Sequence, residues 1–452
     1  MDRLFNLYDE LIGKTVEFVK NKAYQGSIIL DIFLKRKALQ QDPKADLTRT
    51  TFNIPTFNGA TRPIFVDTGY LLSDSDVEGG IYAQVNQDIK TKNLDVQGVS
   101  GIVVPAHITF AIETNKERLL ALDELARKGD RLVAESIMSE GKKLQADIAW
   151  SYAWSIWNGR GGANPQWNNY TYNTPAKVGG GLVTPAPNSG IDFVPSSVRE
   201  VEGLYTYVLN GTTPNFSNGL SNLYNIDLNT FAWYKPKLYN FFTANSAGNA
   251  LVDAPFGYNS PTFYSSAVTT GNKIKASVLM GTTYSMTANV PVIIDIIQRA
   301  ISDLKTINSY PQIGICRRDL FDLLRRVFES QKWSGKFLLQ DERILQNLAN
   351  MGYNEAITID GVAIIPDDTK RLAPDGQTAI YACPANAIFL LNLDKFIFEY
   401  HYLYPLKIDK EWKEKYGKAG AYYKVVDATV LMALPDRHNQ GVIQFAEIDY
   451  SA

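Results

Sequence analysis

What the sequence lacks narrows the field first. It has two cysteines in 452 residues, Cys316 and Cys383. Both stand in apolar, strand-like runs, QIGIC and AIYAC, so two buried free thiols are expected and a disulfide framework is not. The three histidines, His107, His401 and His438, lie far apart and show no HExxH or other paired-ligand spacing. No metal centre is expected from them. Charge of one sign is also missing: 45 Lys plus Arg stand against 47 Asp plus Glu, a formal net charge of −2. Without a dense basic run, nothing marks the chain as a nucleic-acid or anionic-membrane binder. No apolar run approaches the roughly 18 residues of a membrane span. The opening MDRLFNLYDELIGKTVEFVKNKAY is amphipathic and acidic, unlike a signal or transit peptide. A soluble, intracellular chain is the expectation.

Catalytic signatures are missing as well. There is no GxxxxGK[ST] phosphate loop, and VGGGLV at 178–183 has neither the spacing nor the strand–helix setting of a dinucleotide fingerprint. No GxSxG nucleophile elbow occurs. Asp74-Ser-Asp76-Val-Glu78-Gly79 opens like a calcium loop, but Val85 stands where the bidentate Glu belongs, so a solvated acidic loop tip is the reading. Asp303 and the pair Asp367-Asp368 have no spacing for general acid and base work. The chain reads as a non-enzyme without cofactor or metal.

What is present is aromatic surface, 25 Tyr and 21 Phe, which suits extensive β-surface or large interfaces. Residues 1–40 read as a helical arm. Strand-like segments follow from Thr48 to about 115, many too weakly apolar to form a core alone. From about Lys116 to Trp157, Leu119, Leu122, Leu125, Leu132, Val133, Ile137, Leu144, Ile148, Tyr152 and Ile156 trace a drifting apolar stripe at helical spacing. Roughly 40 helical residues would span about 60 Å, longer than a small domain is wide. Its last turns, ADIAWSYAWSIWNG, place Trp150, Trp154 and Trp157 on one face, with Asn158-Gly159 as a C-terminal stop. Such a stripe could be a membrane anchor, a base-stacking platform, a ligand clamp or packing. Asp147, Ser151, Ser155 and Asn158 surround it and no basic groove accompanies it, which leaves packing. Trp154→Ala is then expected to cost a few kcal/mol.

Residues 160–284 are rich in Gly, Asn, Thr, Ser, Pro and Tyr and read as loops and short strands. Order returns with VPVIIDIIQRAISDLKTI (helix), QIGIC (buried strand), RRDLFDLLRRVFES (helix) and DERILQNLANMGY (helix). AITIDGVAIIPDD, QTAIYACP and NAIFLLNLDKFIFEYH then complete a mixed α/β unit over about 290–395. Arg317, Arg318, Arg325 and Arg326 read as a solvated helix face paired with Asp319, Asp322 and Glu329. The competing reading is an intersubunit or nucleic-acid contact. The tail gives two strands joined by a turn at Pro435-Asp436.

This order of elements resembles the major capsid proteins of tailed double-stranded DNA bacteriophages, which have the Hong Kong 97 fold. HITFAIETNKERLL with LQADIAWSYAWSIWNG is similar to that family's stretch entering and filling the spine helix. YNIDLNTFAWYKPKLY at 224–239 resembles its Gly-Ile-Asp…Trp-Arg segment, with Lys235 where Arg is common. PVIIDIIQRAISDL, QIGICRRDLFDLLRRVF and GVAIIPDD resemble its axial-domain run, and PDRHNQGVI a closing phrase. The resemblance implies an α+β chain. Residues 1–50 would be an N-arm and 51–105 an extended E-loop β-hairpin with adjoining strands. Residues 106–240 would be a peripheral domain with the spine helix at about 116–157 and an insertion at about 160–200. A linker or second insertion would cover 241–284, an α/β axial domain 285–395, and a return to the peripheral domain 396–452. It implies a homo-oligomer of hexamers and pentamers in a virion capsid, assembled in the host bacterial cytoplasm. The implied partners are a separate scaffolding protein, a portal protein and auxiliary or decoration proteins. Packaged DNA would be touched only weakly and non-specifically, and no membrane is involved. Trp150, Trp154, Trp157, Trp233, Arg317 and Arg318 are its structural or interface candidates. The alternatives are another self-assembling phage structural protein, or an α/β enzyme with a β-rich lid.

Overall fold

The computed structural model describes residues 27–41, 54–67, 98–115, 117, 124, 139, 146, 149–150, 152–157, 203–204, 222–224, 226–227, 230, 234, 236–241, 255–258, 269–270, 273–306, 309–333, 342–350, 353–372, 379–394, 396–405, 407–408, 411–414, 420–435, 439–445 and 448–450. The calcium-like loop at Asp74–Gly79, Asn158-Gly159, the 160–200 insertion, Trp233 and His438 lie outside them.

The class is α+β. In chain order the elements begin with α1 (Ile28–Gln41), β1 (Thr56–Phe57), β2 (Arg62–Asp67), β3 (Gly98–Val103) and β4 (Ala106–Asn115). After the helical residues described between 117 and 157, called the long helix below, come β5 (Asn222–Leu223), β6 (Ile226–Asp227), β7 (Lys237–Phe241), β8 (Thr269–Thr270), β9 (Lys273–Lys275), α2 (Ala276–Met280) and α3 (Val292–Leu304). Then follow β10 (Ile313–Arg317), α4 (Arg318–Trp333), α5 (Glu342–Asn350), β11 (Ile357–Ile359), β12 (Val362–Asp367), β13 (Lys370–Leu372) and β14 (Ala379–Tyr381). The last are β15 (Ala387–Leu391), β16 (Ile397–His401), β17 (Lys407–Ile408), β18 (Lys413–Glu414), β19 (Ala421–Ala433), β20 (Gly441–Phe445) and β21 (Ile448–Asp449). Every described residue between 117 and 157 is helical, and Glu117, Glu124, Ser139 and Ala146 are exposed along it.

Six strands make the central sheet, in the order β11-β12-β10-β15-β20-β7. Side chains alternate across it, as strand geometry requires. Ile313, Ile315, Ala363, Ile365, Phe389 and Leu391 face a core shared with α1 and the end of the long helix. Cys316, Val362, Ile364, Ile388, Leu390 and Ile443 face the opposite core, built with α3 and α4. Both faces are covered, which is why these strands read as continuous apolar runs. The β11–β12 hairpin turns through Asp360 (φ 49°) and Gly361 (φ 81°), the left-handed pair that a two-residue hairpin turn needs. Gly441 lets α3 sit directly on β20: a Cβ there would lie 2.5 Å from Leu304 Cδ1.

The sheet reaches beyond 285–395, because β20 pairs with β15 and β7 with β20, both from distant parts of the chain. The 241–284 stretch is not all peripheral to the core either: Tyr258, Ile274 and Leu279 are fully buried in it. Asp295 lies in the first turn of α3 at 2% exposure. Tyr258 Oη donates to its Oδ2 at 2.6 Å and Arg299 Nε at 3.0 Å, while the Thr287 hydroxyl donates to Oδ1. These bonds satisfy a buried carboxylate and tie the 281–290 segment to the helix.

A second sheet is arranged around β19, with β16, β17, β18 and β4 all antiparallel to it and β1 parallel to β16. The tail strands read from the sequence do not form a hairpin: β19 belongs to this sheet and β20 to the central one. Cys316 and Cys383 are buried and free, as expected.

Candidate assembly interface

The β2–β3 hairpin pairs Arg62 with Val103 through Asp67 with Gly98 and forms a sheet of its own. Its inner face is apolar by alternation: Ile64, Val66, Val99 and Val103 pack against Tyr224, Ile226, Tyr234, Leu431 and Ala433. The Ile102 N–H also donates to the Tyr224 carbonyl at 2.7 Å. At the base, Arg62 pairs with Glu399 of β16. The outer face carries Pro63, Phe65, Ser100 and Ile102. Phe65 is 59% exposed and Ile102 43%. Two large apolar side chains on the open face of a two-stranded ribbon are surface that this subunit does not cover.

The tryptophan stripe resolves into separate roles. Trp157 is fully buried, Trp150 is 7% exposed and Trp154 is half-buried. Trp157 packs on Phe389 of β15 with ring centroids 4.7 Å apart, and its Nε1 donates to Asp367 Oδ2 at 2.6 Å. On the same helix, Tyr152 hydrogen-bonds Tyr400 hydroxyl to hydroxyl at 2.9 Å and meets Phe398 edge-on. Burial pushes the Tyr400 hydroxyl up to about 12, and burial with the Tyr400 contact pushes Tyr152 well up, so both stay neutral donors or acceptors. Trp150 stacks against Trp154 at 5.6 Å and lies under the Arg371 guanidinium at 5.3 Å. One helix end therefore bonds to the central sheet through Trp157 and to the second sheet through Tyr152. Sequence reasoning singled out the indoles but missed Asp367 as the acceptor, 210 residues away.

Arg317 and Arg318 are not brought together with the tryptophans in one site. Arg317 forks onto Asp319 (Nε–Oδ1 2.8 Å) and lies over the Tyr381 ring at 5.1 Å. Arg318 bonds Asp368 through Nε at 2.8 Å and also pairs with Glu355. Arg325 pairs with Glu329 at 3.1 Å. Three of the four arginines, Arg317, Arg318 and Arg325, are thus paired with carboxylates. No group of three or more His, Cys, Asp or Glu among the described residues is placed to hold a metal. No helix among them is long and apolar enough to cross a membrane.

No protein-family model and no curated protein matches the chain. Among solved structures it is similar to a chain of the satellite phage P4 procapsid, at 12% identity and a TM-score of 0.41, over 96% of this chain and 91% of that one. A chain of the cyanophage A-1(L) capsid is similar at 13% identity and a TM-score of 0.42, over 89% of this chain and 96% of that one. The SrpI encapsulin complex of Synechococcus elongatus is similar at 9% identity and a TM-score of 0.36, over 88% of each chain.

Proposed function

We propose that the chain is the major capsid protein of a tailed double-stranded DNA bacteriophage, building an icosahedral head as hexamers and pentamers. The observation that carries this reading is the contrast within one chain between a central sheet closed on both faces and a β2–β3 ribbon that leaves Phe65 and Ile102 uncovered. A shell subunit needs such an incomplete element, since its missing cover is a neighbouring copy. The order of arm helix, hairpin, long helix, α/β sheet and returning strands supports the same reading, and so does the near-zero net charge, which limits repulsion among many packed copies. The role needs no catalytic group. The partners are then a separate scaffolding protein, a portal and auxiliary shell proteins, with DNA in weak non-specific contact and assembly in the host bacterial cytoplasm.

The test is expression of the full chain, with and without a scaffolding protein, followed by size-exclusion chromatography and electron microscopy. Capsomers or closed shells are expected, and in particles from an infected host the chain should dominate DNA-filled heads. A monomer under every condition, or one that turns over a substrate, overturns the reading.

A further inference from the structure

The structure carries one feature that a rigid packing joint does not need. Asp367 closes β12 at 1% exposure, and its two oxygens serve two different elements. Oδ1 accepts from the Thr369 N–H at 2.8 Å, within its own turn. Oδ2 accepts from the Trp157 indole at 2.6 Å, across to the long helix. Trp157 is itself fully buried against Phe389, so the bond lies in an apolar pocket.

The cations nearby are engaged elsewhere. Arg317, the register partner of Asp367 on β10, turns to Asp319, and Arg318 turns to Asp368 and Glu355. A buried carboxylate held only by neutral donors, the Thr369 N–H and hydroxyl and the Trp157 indole, bears the full desolvation cost of its charge, which hydrogen bonds offset only in part. We infer that the Trp157–Asp367 bond is a proton-controlled joint between the long helix and the central sheet. With the carboxyl protonated the pocket is neutral. With it ionised, a charge sits between helix and sheet.

The groups facing Asp367 fit this assignment. Burial pushes its carboxyl up, the Thr369 and Trp157 bonds pull it down, and the Asp368 charge pushes it up again, leaving it above the usual carboxylate range. The β10 thiol of Cys316 and the thiol of Cys383 are both pushed up by burial, as is the Tyr353 hydroxyl beyond α5, so none of these ionises in the same range. Asp319 beside Arg317 and Asp368 beside Arg318 complete the charged neighbours. For an acid whose carboxyl is raised on folding, the linkage has one sign: stability is greatest while the group is protonated and falls as pH rises through the raised value.

The test is thermal unfolding of the full chain at a series of pH values from 4 to 8, as an order-of-magnitude choice spanning the carboxylate and histidine ranges, with indole emission recorded alongside. The wild-type Tm is expected to fall across part of that range while emission changes with the same midpoint. Asp367→Asn, which keeps an acceptor for Trp157 and cannot ionise, should remove that component of the slope and the emission step even if its baseline Tm is lower. Trp157→Phe should keep the slope and move its midpoint upward, since a donor to the carboxylate is gone. An Asp367→Asn protein with the wild-type slope, or a wild-type protein with no slope, overturns the proposal. The readout is made on the subunit's own unfolding, so it stands whether or not the chain builds shells.

Discussion

The central sheet and the β2–β3 hairpin are both made of β-branched, apolar strands, yet they solve burial in opposite ways. The sheet has α1 and the long helix on one face and α3 and α4 on the other. The hairpin has one covered face and one open face. The sheet's residues thus contribute to the stability of a single chain, whereas half of the hairpin's apolar surface gains nothing until something else covers it. Stability and assembly are therefore separable in this molecule, and substitutions can address one without the other.

The sharpest break is removal of residues 70–95, in the sequence between β2 and β3. A soluble subunit should remain and stable shells should be lost altogether, as seen by electron microscopy; normal shells would mean the hairpin is not an interface. On the closed side, Trp157→Ala removes a fully buried indole and one donor to the buried Asp367 carboxyl, and should cost about 3–5 kcal/mol in urea unfolding. Trp154→Ala, at a half-buried position, should cost less, about 1–2 kcal/mol. Gly441→Ala pushes a methyl into Leu304 and should cost about 1–3 kcal/mol. Smallest of all in stability is Phe65→Ser, within about 0.5 kcal/mol for the subunit, although it should slow or prevent assembly. If Phe65→Ser destabilises the isolated subunit as strongly as Gly441→Ala, the open face is not open and the contrast fails.

Much of the sheet was legible because its elements obey local rules. The helical period over Val292–Leu304 and the apolar runs of β10 and β12 are short-range signals. The expected helix at 342–350 and the free, buried cysteines follow from the same reasoning. What was not legible is long-range. Nothing local in KLYNF or GVIQF says that β20 pairs with β15 and β7 with β20, and nothing in the helix end names Asp367 as its partner. The doublet Asp367-Asp368 had no spacing for acid–base work and was given no other role, yet one residue is buried under an indole and the other pairs with Arg318. A usable signal did exist at Asp295, a charge in the middle of the apolar face of α3, where a buried polar network was the natural inference. For the tryptophans, the sequence could place three indoles on one face but could not rank them. Rank depends on how far the helix end sinks between two sheets, and only Trp157 reaches the bottom.

The connection from β19 to β20 also has a mechanical meaning. β19 is 13 residues long, bonded to β4 over one stretch and to β16 at its end, and the next strand in the chain, β20, lies in the central sheet. At about 3.3 Å per residue it is a tie rod of about 40 Å. Tension along it loads its cross-strand bonds in shear, many at once, instead of peeling them singly. A wall tiled from such subunits would carry outward pressure along the strands that resist it best, with the helix joint at Trp157 as the pivot.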